Sequence, residues 1–173
     1  MLQAKNEVWL VSNWKEQVEA IRANGITLSE NDHDDLLLHP QVTYCAEDVV
    51  ANGAPYPDLV IISSKGYQTE RTVKNALPSI GPDTRVLTLQ NGMGNADVIA
   101  SYVPAERVFF GAASVASDAP ALGHVKDTTN RNRSPLISII PYSHKEDNFC
   151  RKLGQLFTSM GYSTEASVAA ERF

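Results

Sequence analysis

Cysteine is scarce in this chain of 173 residues. Only Cys45 and Cys150 occur, far apart and outside any CxxC or Cys/His spacing. Disulfide frameworks and zinc sites both need more such residues at closer spacing, so the sequence argues against either one. We expect no metal site, and the pattern predicts two small buried side chains in a reducing compartment.

An excess of positive charge and long apolar runs are also missing. The chain has 15 Lys and Arg against 20 Asp and Glu, a net charge of −5, which leaves no basic stripe for nucleic acid. No apolar run approaches the roughly 20 residues that cross a bilayer, and the first eleven residues are too polar for a secretory signal. We therefore expect no nucleic-acid or membrane partner and a cytoplasmic protein.

The chain does contain strand-like runs that alternate with helix-like runs. Residues 7–11 (EVWLV) predict a strand, and Trp14, Val18 and Ile21 share one face of the helix expected to follow. The clearest strand lies within DLVIISSK, where four consecutive apolar residues at 59–62 indicate burial in a parallel sheet. Further strands are predicted by VTYCA, TRVLTLQ and RVFFGAAS, with helices over 68–77, 96–102 and 144–161 and a small hairpin over 26–38.

Two later segments, GHVKDTT and SPLISIIPY, predict a pair of antiparallel strands around the polar turn NRNRS. Repeated strand–helix units followed by such a pair predict an α/β fold. Its centre would be a Rossmann-like, doubly wound, mostly parallel sheet with an antiparallel pair near the carboxyl end.

The stretch LTLQNGMGN, residues 87–95, is the strongest candidate for chemistry. An Asn-Gly pair after a strand commonly makes a hairpin turn, and Asn91 can be read that way. The residues that follow have helical spacing, with Asn95 as a candidate N-cap, so the loop instead leads from strand to helix. Such loops lie at the carboxyl ends of parallel strands, where ligands bind, which favours a functional interpretation of Asn91.

Three stretches together resemble the cofactor-binding domain of the ketopantoate reductases (2-dehydropantoate 2-reductases). They are VWLVSNWKEQVEAIRANGITL, the long stretch from DLVIISSKGYQ to LQNGMGN, and RVFFGAASVAS with GHVKD. The resemblance covers nearly all of the chain. It implies NADPH-dependent reduction of 2-dehydropantoate (ketopantoate) to pantoate in pantothenate and coenzyme A biosynthesis. Another small 2-oxo acid remains an open alternative as the substrate.

The resemblance also implies site residues. Asn91 would lie beside the nicotinamide and the substrate, Lys65 would reach the same region, and the backbone of Ser117 would contact the cofactor. A carboxamide suits such a place because it donates and accepts without titrating. The plainer alternatives are a turn asparagine at 91 and a solvated strand-end lysine at 65.

The end of the strand predicted at residues 7–11, which corresponds to the second strand of the family, bears on the choice of cofactor. An acidic residue there would favour NAD, whereas an arginine would favour the 2′-phosphate of NADP. The chain has Ser12-Asn13-Trp14-Lys15, with Asn13 at the position of the family's arginine. Lys15 either supplies a substitute point charge or is an exposed helix lysine. We expect NADPH.

The sequence lacks the GxGxxG turn with which the family begins. We therefore expect a fragment: residues 1–165 as a partial dinucleotide-binding domain without its first strand, and 166–173 as the start of a missing helical domain. Such a fragment would be inactive alone, and a non-catalytic remnant or partner-binding fragment is the alternative. In the order 3-2-1-4-5-6 the lost strand leaves two strand edges open, which predicts homo-oligomers.

Overall fold

A computed structural model describes residues 6–30, 33–145 and 147–168. The chain forms two compact units, the first made of Met1–Ala51 and Val115–Asn130 and the second of Asn52–Ser114 and Arg131–Phe173. The strands, in chain order, are β1 (Trp9–Val11), β2 (Ile26–Glu30), β3 (His33–Leu38), β4 (Gln41–Thr43), β5 (Leu59–Ile62), β6 (Arg85–Thr88), β7 (Val108–Ala113), β8 (Ser117–Ala121), β9 (His124–Asp127), β10 (Ile137–Pro141) and β11 (Thr164–Ala166). The α-helices are α1 (Lys15–Asn24), α2 (Thr69–Ala76), α3 (Asn95–Ala100) and α4 (Asn148–Ser159).

The first unit contains two sheets. Strand β1 pairs with β4 in parallel, and the other sheet has the order β3-β2-β9-β8 with the predicted hairpin between β2 and β3. Helix α1 buries Val18 and Ile21 and ends at Gly25, whose φ of 77° is easily adopted only without a side chain. Trp14 departs from the prediction, because it precedes the helix and is 55% exposed.

The second unit contains a five-stranded sheet with the order β11-β10-β7-β6-β5. Neighbouring strands of this sheet are parallel, except that β7 and β10 are antiparallel to each other. This confirms a mostly parallel Rossmann-like α/β fold. Strand β5 is the terminal strand of this sheet, and Ile61 within it is 39% exposed. The expectation that this strand is buried on both faces is therefore wrong for Ile61.

Side chains of β6 and β7 alternate between two hydrophobic clusters because successive residues of a strand face opposite sides of the sheet. Leu87 and Phe109 pack in one cluster with residues of α4, including Leu153. Val86 and Val108 pack in the other, which includes residues of α2 and α3. Helices therefore cover both faces of the central strands, as in a doubly wound fold.

The predicted antiparallel pair near the carboxyl end is wrong in its partners. Strand β9 pairs with β2 and β8 in the first unit, whereas β10 pairs antiparallel with β7 and parallel with β11 in the second. All five residues of β10 are buried, so this strand needs a neighbour on each side. The short strand β11, which the sequence pattern did not indicate, supplies one of them.

The two cysteines differ in their exposure to solvent. Cys150 lies buried on α4, with its thiol 3.6 Å from the carbonyl oxygen of Ile139. Cys45 is exposed, so the prediction of burial is wrong for that residue. Its thiol contacts the Asp48 carboxylate, whose hydrogen bond raises the pKa of Cys45 above its usual value.

Candidate functional site

The carboxyl ends of β5 and β6 lie side by side. The two strands are parallel neighbours, with Ile62 opposite Thr88 in the register. Lys65 therefore follows one strand and Asn91 follows the next, at the same edge of the sheet. Both side chains are exposed, and among the described residues neither forms a hydrogen bond or an ion pair. They are thus two polar groups free to bind a ligand.

Gln90 connects the two loops. Its Nε2 donates to the carbonyl oxygen of Ser64 at 2.5 Å and lies 3.3 Å from the hydroxyl of the same residue. Its Oε1 accepts a hydrogen bond from the Thr88 hydroxyl at 2.9 Å. Gln90, which immediately precedes Asn91, is therefore hydrogen-bonded to Ser64, which immediately precedes Lys65.

Asn95 organises the loop that carries Asn91. Its Nδ2 donates to the carbonyl oxygens of Asn91, at 3.2 Å, and of Gly92, at 3.1 Å. It is the first residue of α3 and is buried, and the cap before it is Gly94, with a φ of 85°. Asn95 is therefore not the helix N-cap that the sequence suggested, because its side chain bonds to loop carbonyls and not to helix N–H groups.

Thr69 lies beneath both loops. Its hydroxyl is within hydrogen-bonding distance of three acceptors: the Gly66 carbonyl at 2.8 Å, Asn95 Oδ1 at 2.9 Å and Gln90 Oε1 at 3.2 Å. The residue is 1% exposed. The two loops are thus connected by four side chains, those of Ser64, Thr69, Gln90 and Asn95. The supporting role of these four side chains could not be predicted from the sequence, although Gln90 and Asn95 flank the NGMG motif, because hydroxyl and amide residues are equally common in solvated loops.

The loop main chains approach each other closely at Gly66. A Cβ added there would lie 3.3 Å from Asn95 Oδ1 and 3.6 Å from the carbonyl oxygen of Asn91. The first distance is tighter than most Cβ contacts, so a larger residue would require the Asn95 side chain to shift by a few tenths of an ångström. The glycine thus permits the close approach between its main chain and the Asn95 side chain.

A cleft of about 320 Å³ lies beside the NGMG loop, in the second unit. Its lining includes Gly92, Met93, Asp97, Phe110, Tyr142 and His144. The phenol of Tyr142 donates to the Asp97 carboxylate at 2.8 Å, and this hydrogen bond raises the pKa of Tyr142. Met93 is fully exposed at the rim. The cleft thus offers an apolar wall with one neutral phenol held by a carboxylate.

The other predicted site residues belong to the first unit. Asn13 follows β1, Lys15 is the first residue of α1, and Ser117 is the first residue of β8; all three are exposed. The Ser12 hydroxyl accepts a hydrogen bond from the backbone N–H of Trp14 at 3.2 Å, which shapes the turn between strand and helix. Asn13 and Lys15 therefore lie at the carboxyl end of a parallel strand, where the sequence placed them.

Over residues 6–30, 33–145 and 147–168, no group of three or more His, Cys, Asp or Glu side chains is arranged to hold a metal ion. Over the same residues, no helix has the length and apolar character needed to span a bilayer.

The sheet order and the polar loops at the strand ends define a Rossmann-type α/β protein, the class that binds dinucleotides at such edges. The family model described as "Ketopantoate reductase PanE/ApbA" matches residues 1–133. The chain belongs to this family.

Known proteins agree with this assignment. The 2-dehydropantoate 2-reductase of Lactococcus lactis is 33% identical over 106 residues, which cover 61% of this chain and 33% of that protein. The solved structure of a PanE/ApbA family ketopantoate reductase from Ralstonia eutropha is 27% identical, with a TM-score of 0.76 over 95% of this chain and 50% of that chain.

D-mandelate dehydrogenase, solved with NADH and anilino(oxo)acetate, shares the fold. It has a TM-score of 0.78 at 24% identity, over 94% of this chain and 50% of that one. The present chain thus spans about a third of the curated relative and half of the two solved chains.

Proposed function

We propose that this chain forms the part of an NADPH-dependent 2-dehydropantoate 2-reductase that holds the nicotinamide and the reacting end of the substrate. The observation that carries the proposal is the placement of Lys65 and Asn91, exposed and without described partners, at the ends of adjacent parallel strands. Membership in the ketopantoate reductase family supports the reaction and the 2-oxo acid substrate class.

The residues present fit the nicotinamide end of such a cofactor. Asn91 offers an amide that can donate to one group and accept from another, and Lys65 offers a positive charge for a carboxylate or phosphate. Gly66, Gly92 and Gly94 leave bare main chain around these side chains. The sequence contains no GxGxxG turn to hold a pyrophosphate, so we propose that this chain alone is inactive.

Bound nicotinamide supplies the hydride, and the protein supplies orientation and charge stabilisation. In the proposed reaction Asn91 donates a hydrogen bond that orients the substrate against the cofactor. Lys65 stabilises the negative charge that develops on the ketone oxygen of the 2-oxo acid as its carbon receives the hydride, and this oxygen then takes a proton from solvent to become a hydroxyl. Asn91 does not change its protonation state in this role.

Lys15 is the proposed contact for the 2′-phosphate of NADPH, because Asn13 carries no charge. Ser117 is proposed to contribute its main chain to the cofactor, as the resemblance implies. Lys15→Ala should weaken NADPH binding while leaving NADH binding nearly unchanged, so NADH serves as the internal control. Equal losses for both cofactors would contradict the assignment of Lys15.

The main test is a fluorescence titration with NADPH on the product of the full reading frame, with this chain alone measured in parallel. Lys65→Ala and Asn91→Ala should each weaken cofactor binding or turnover about tenfold or more, since each removes a contact to a polar ligand. Lys152→Ala, an exposed lysine of α4, is the matched control. Absence of NADPH binding by the full product would refute the proposal.

We also propose that the open edge of β5 pairs with another strand. Among the described residues β5 pairs with β6 alone, so the main-chain groups on its other edge have no strand partner there, next to the exposed side chain of Ile61. The isolated chain should then form homo-oligomers, measured by light scattering after size exclusion. A monodisperse monomer with one sharp thermal transition would contradict this expectation.

A further inference from the structure

We propose that Gln90 is a positioning residue, which fixes the loop carrying Lys65 against the loop carrying Asn91. The proposal rests on the function proposed above, in which both side chains serve one bound cofactor and substrate. Gln90 itself would not need to touch either ligand.

The position of Gln90 in the chain suits this role. Ser64, whose carbonyl accepts from Gln90 Nε2 at 2.5 Å, immediately precedes Lys65, and Gln90 immediately precedes Asn91. One hydrogen bond therefore links the main chain from which each functional side chain extends. A change in this bond would alter both positions together.

The orientation of the Gln90 amide is determined by its partners. A carbonyl oxygen can only accept, so the nitrogen end must face Ser64. The oxygen end then faces the hydroxyls of Thr88, at 2.9 Å, and Thr69, at 3.2 Å. The side chain thus acts as donor on one side and acceptor on the other, which no apolar residue of similar size can do.

Because the Gln90 amide donates at one end and accepts at the other, a variant of the same shape can distinguish a positioning role from a packing role. Gln90→Glu keeps nearly the same shape, but its carboxylate can no longer donate to Ser64 and instead places a negative charge beside that carbonyl. When the carboxyl group is protonated it can donate again. A free glutamate has a pKa of about 4.3, so the donor should return in acidic solution.

The test follows the backbone amide resonances of Gly66 and Gly92 by nuclear magnetic resonance, from about pH 7 to about pH 4, a range that includes glutamate titration. At neutral pH, Gln90→Glu should displace both resonances and weaken NADPH binding by the full product about tenfold, the usual scale for a lost hydrogen bond. Acid should return the resonances toward their wild-type positions. In the wild-type protein the same resonances should show no such transition.

Gln155→Glu, on the exposed face of α4, adds the same charge and is the matched control. It should leave the glycine resonances and NADPH binding unchanged. The proposal is overturned if Gln90→Glu leaves the glycines at their wild-type positions, or if displaced resonances do not respond to acid.

A second measurement needs no variant. In the wild-type chain the Nε2 protons of Gln90 should exchange slowly with solvent and show a scalar coupling to the Ser64 carbonyl carbon. Rapid exchange without coupling would also overturn the proposal. If NADPH fails to bind the full product, the proposed function fails, whereas these resonances still decide whether Gln90 joins the loops.

Discussion

The side-chain nitrogen of Asn95 lies 3.2 Å from the main-chain oxygen of Asn91 and donates a hydrogen bond to it. The loop is therefore held through its main chain by a buried amide, while the exposed amide of Asn91 keeps its full capacity for a ligand. Two asparagines in one short motif thus have separate tasks, one structural and one proposed to be functional.

Replacing Asn95 with Asp should destabilise the protein. The change preserves shape but removes both N–H donors and places a carboxylate against the carbonyl oxygens of Asn91 and Gly92. We expect a loss of about 1–3 kcal/mol in the free energy of unfolding, the usual cost of leaving buried polar groups unpaired. Urea denaturation measures it. The exposed Asn75→Asp change should cost only a few tenths of a kcal/mol, and equal losses would contradict the role given to Asn95.

Replacing Thr69 with Val should also weaken the second unit. The valine has the same shape but leaves Gly66, Asn95 and Gln90 without the hydroxyl proton that they share. We expect a loss of about 1–2 kcal/mol. Thr158→Val, at an exposed position of α4, is the matched control. Indistinguishable denaturation midpoints for the two variants would show that the buried hydroxyl contributes nothing.

Gly111 tests the antiparallel pairing of β7 with β10. A Cβ there would lie 1.7 Å from the main-chain oxygen of Ser138, so the alanine variant cannot form without separating two paired strands. We expect Gly111→Ala to cost about 3 kcal/mol or more, or to prevent folding.

Gly154→Ala gives the comparison, because its Cβ would meet the Ala166 methyl group at 2.7 Å and α4 would gain helix propensity. It should therefore be clearly milder in the same denaturation experiment. A harmless Gly111→Ala would mean that β7 and β10 are not paired in this register.

The Tyr142 phenol should titrate at higher pH than an ordinary tyrosine. Its hydrogen bond to Asp97 raises the pKa, so the neutral form stabilises the folded state. This contribution is complete below the unfolded pKa of about 10 and is lost as the pH rises through the higher folded value. Asp97→Asn removes the charge and should return the pKa toward its ordinary value, as followed by the ring-carbon resonance of Tyr142. An unchanged titration would contradict the contact.

Much of the fold could be predicted because local patterns determine it. The apolar run at 59–62, the Gly25 stop and the helical spacing after Gly94 each correspond to an element of the structure. The pairing of β9 could not be predicted, because its partner β2 lies almost a hundred residues earlier and its short half-buried pattern suits several neighbours. The positions of helices and strands could therefore be predicted from the sequence, whereas the pairing of strands distant in the chain could not.

The candidate site divides in the same way. That Lys65 and Asn91 lie at one edge of the sheet could be predicted, because each follows a strongly apolar strand and parallel strands bring such positions together. The roles of Thr69 and Gln90 were not, since a buried polar side chain and a solvated one look alike in a sequence. Their bonds depend on the exact approach of two loops that only the folded main chain defines.

The Thr69 hydroxyl has one proton and three acceptors within reach. A hydroxyl rotates readily, so the proton can move from one oxygen to another when a loop shifts by a fraction of an ångström. The contact of Thr69 with the two loops can therefore accommodate small adjustments of either loop, because a second acceptor remains within reach of the hydroxyl. A side chain with a fixed donor direction would lack this tolerance.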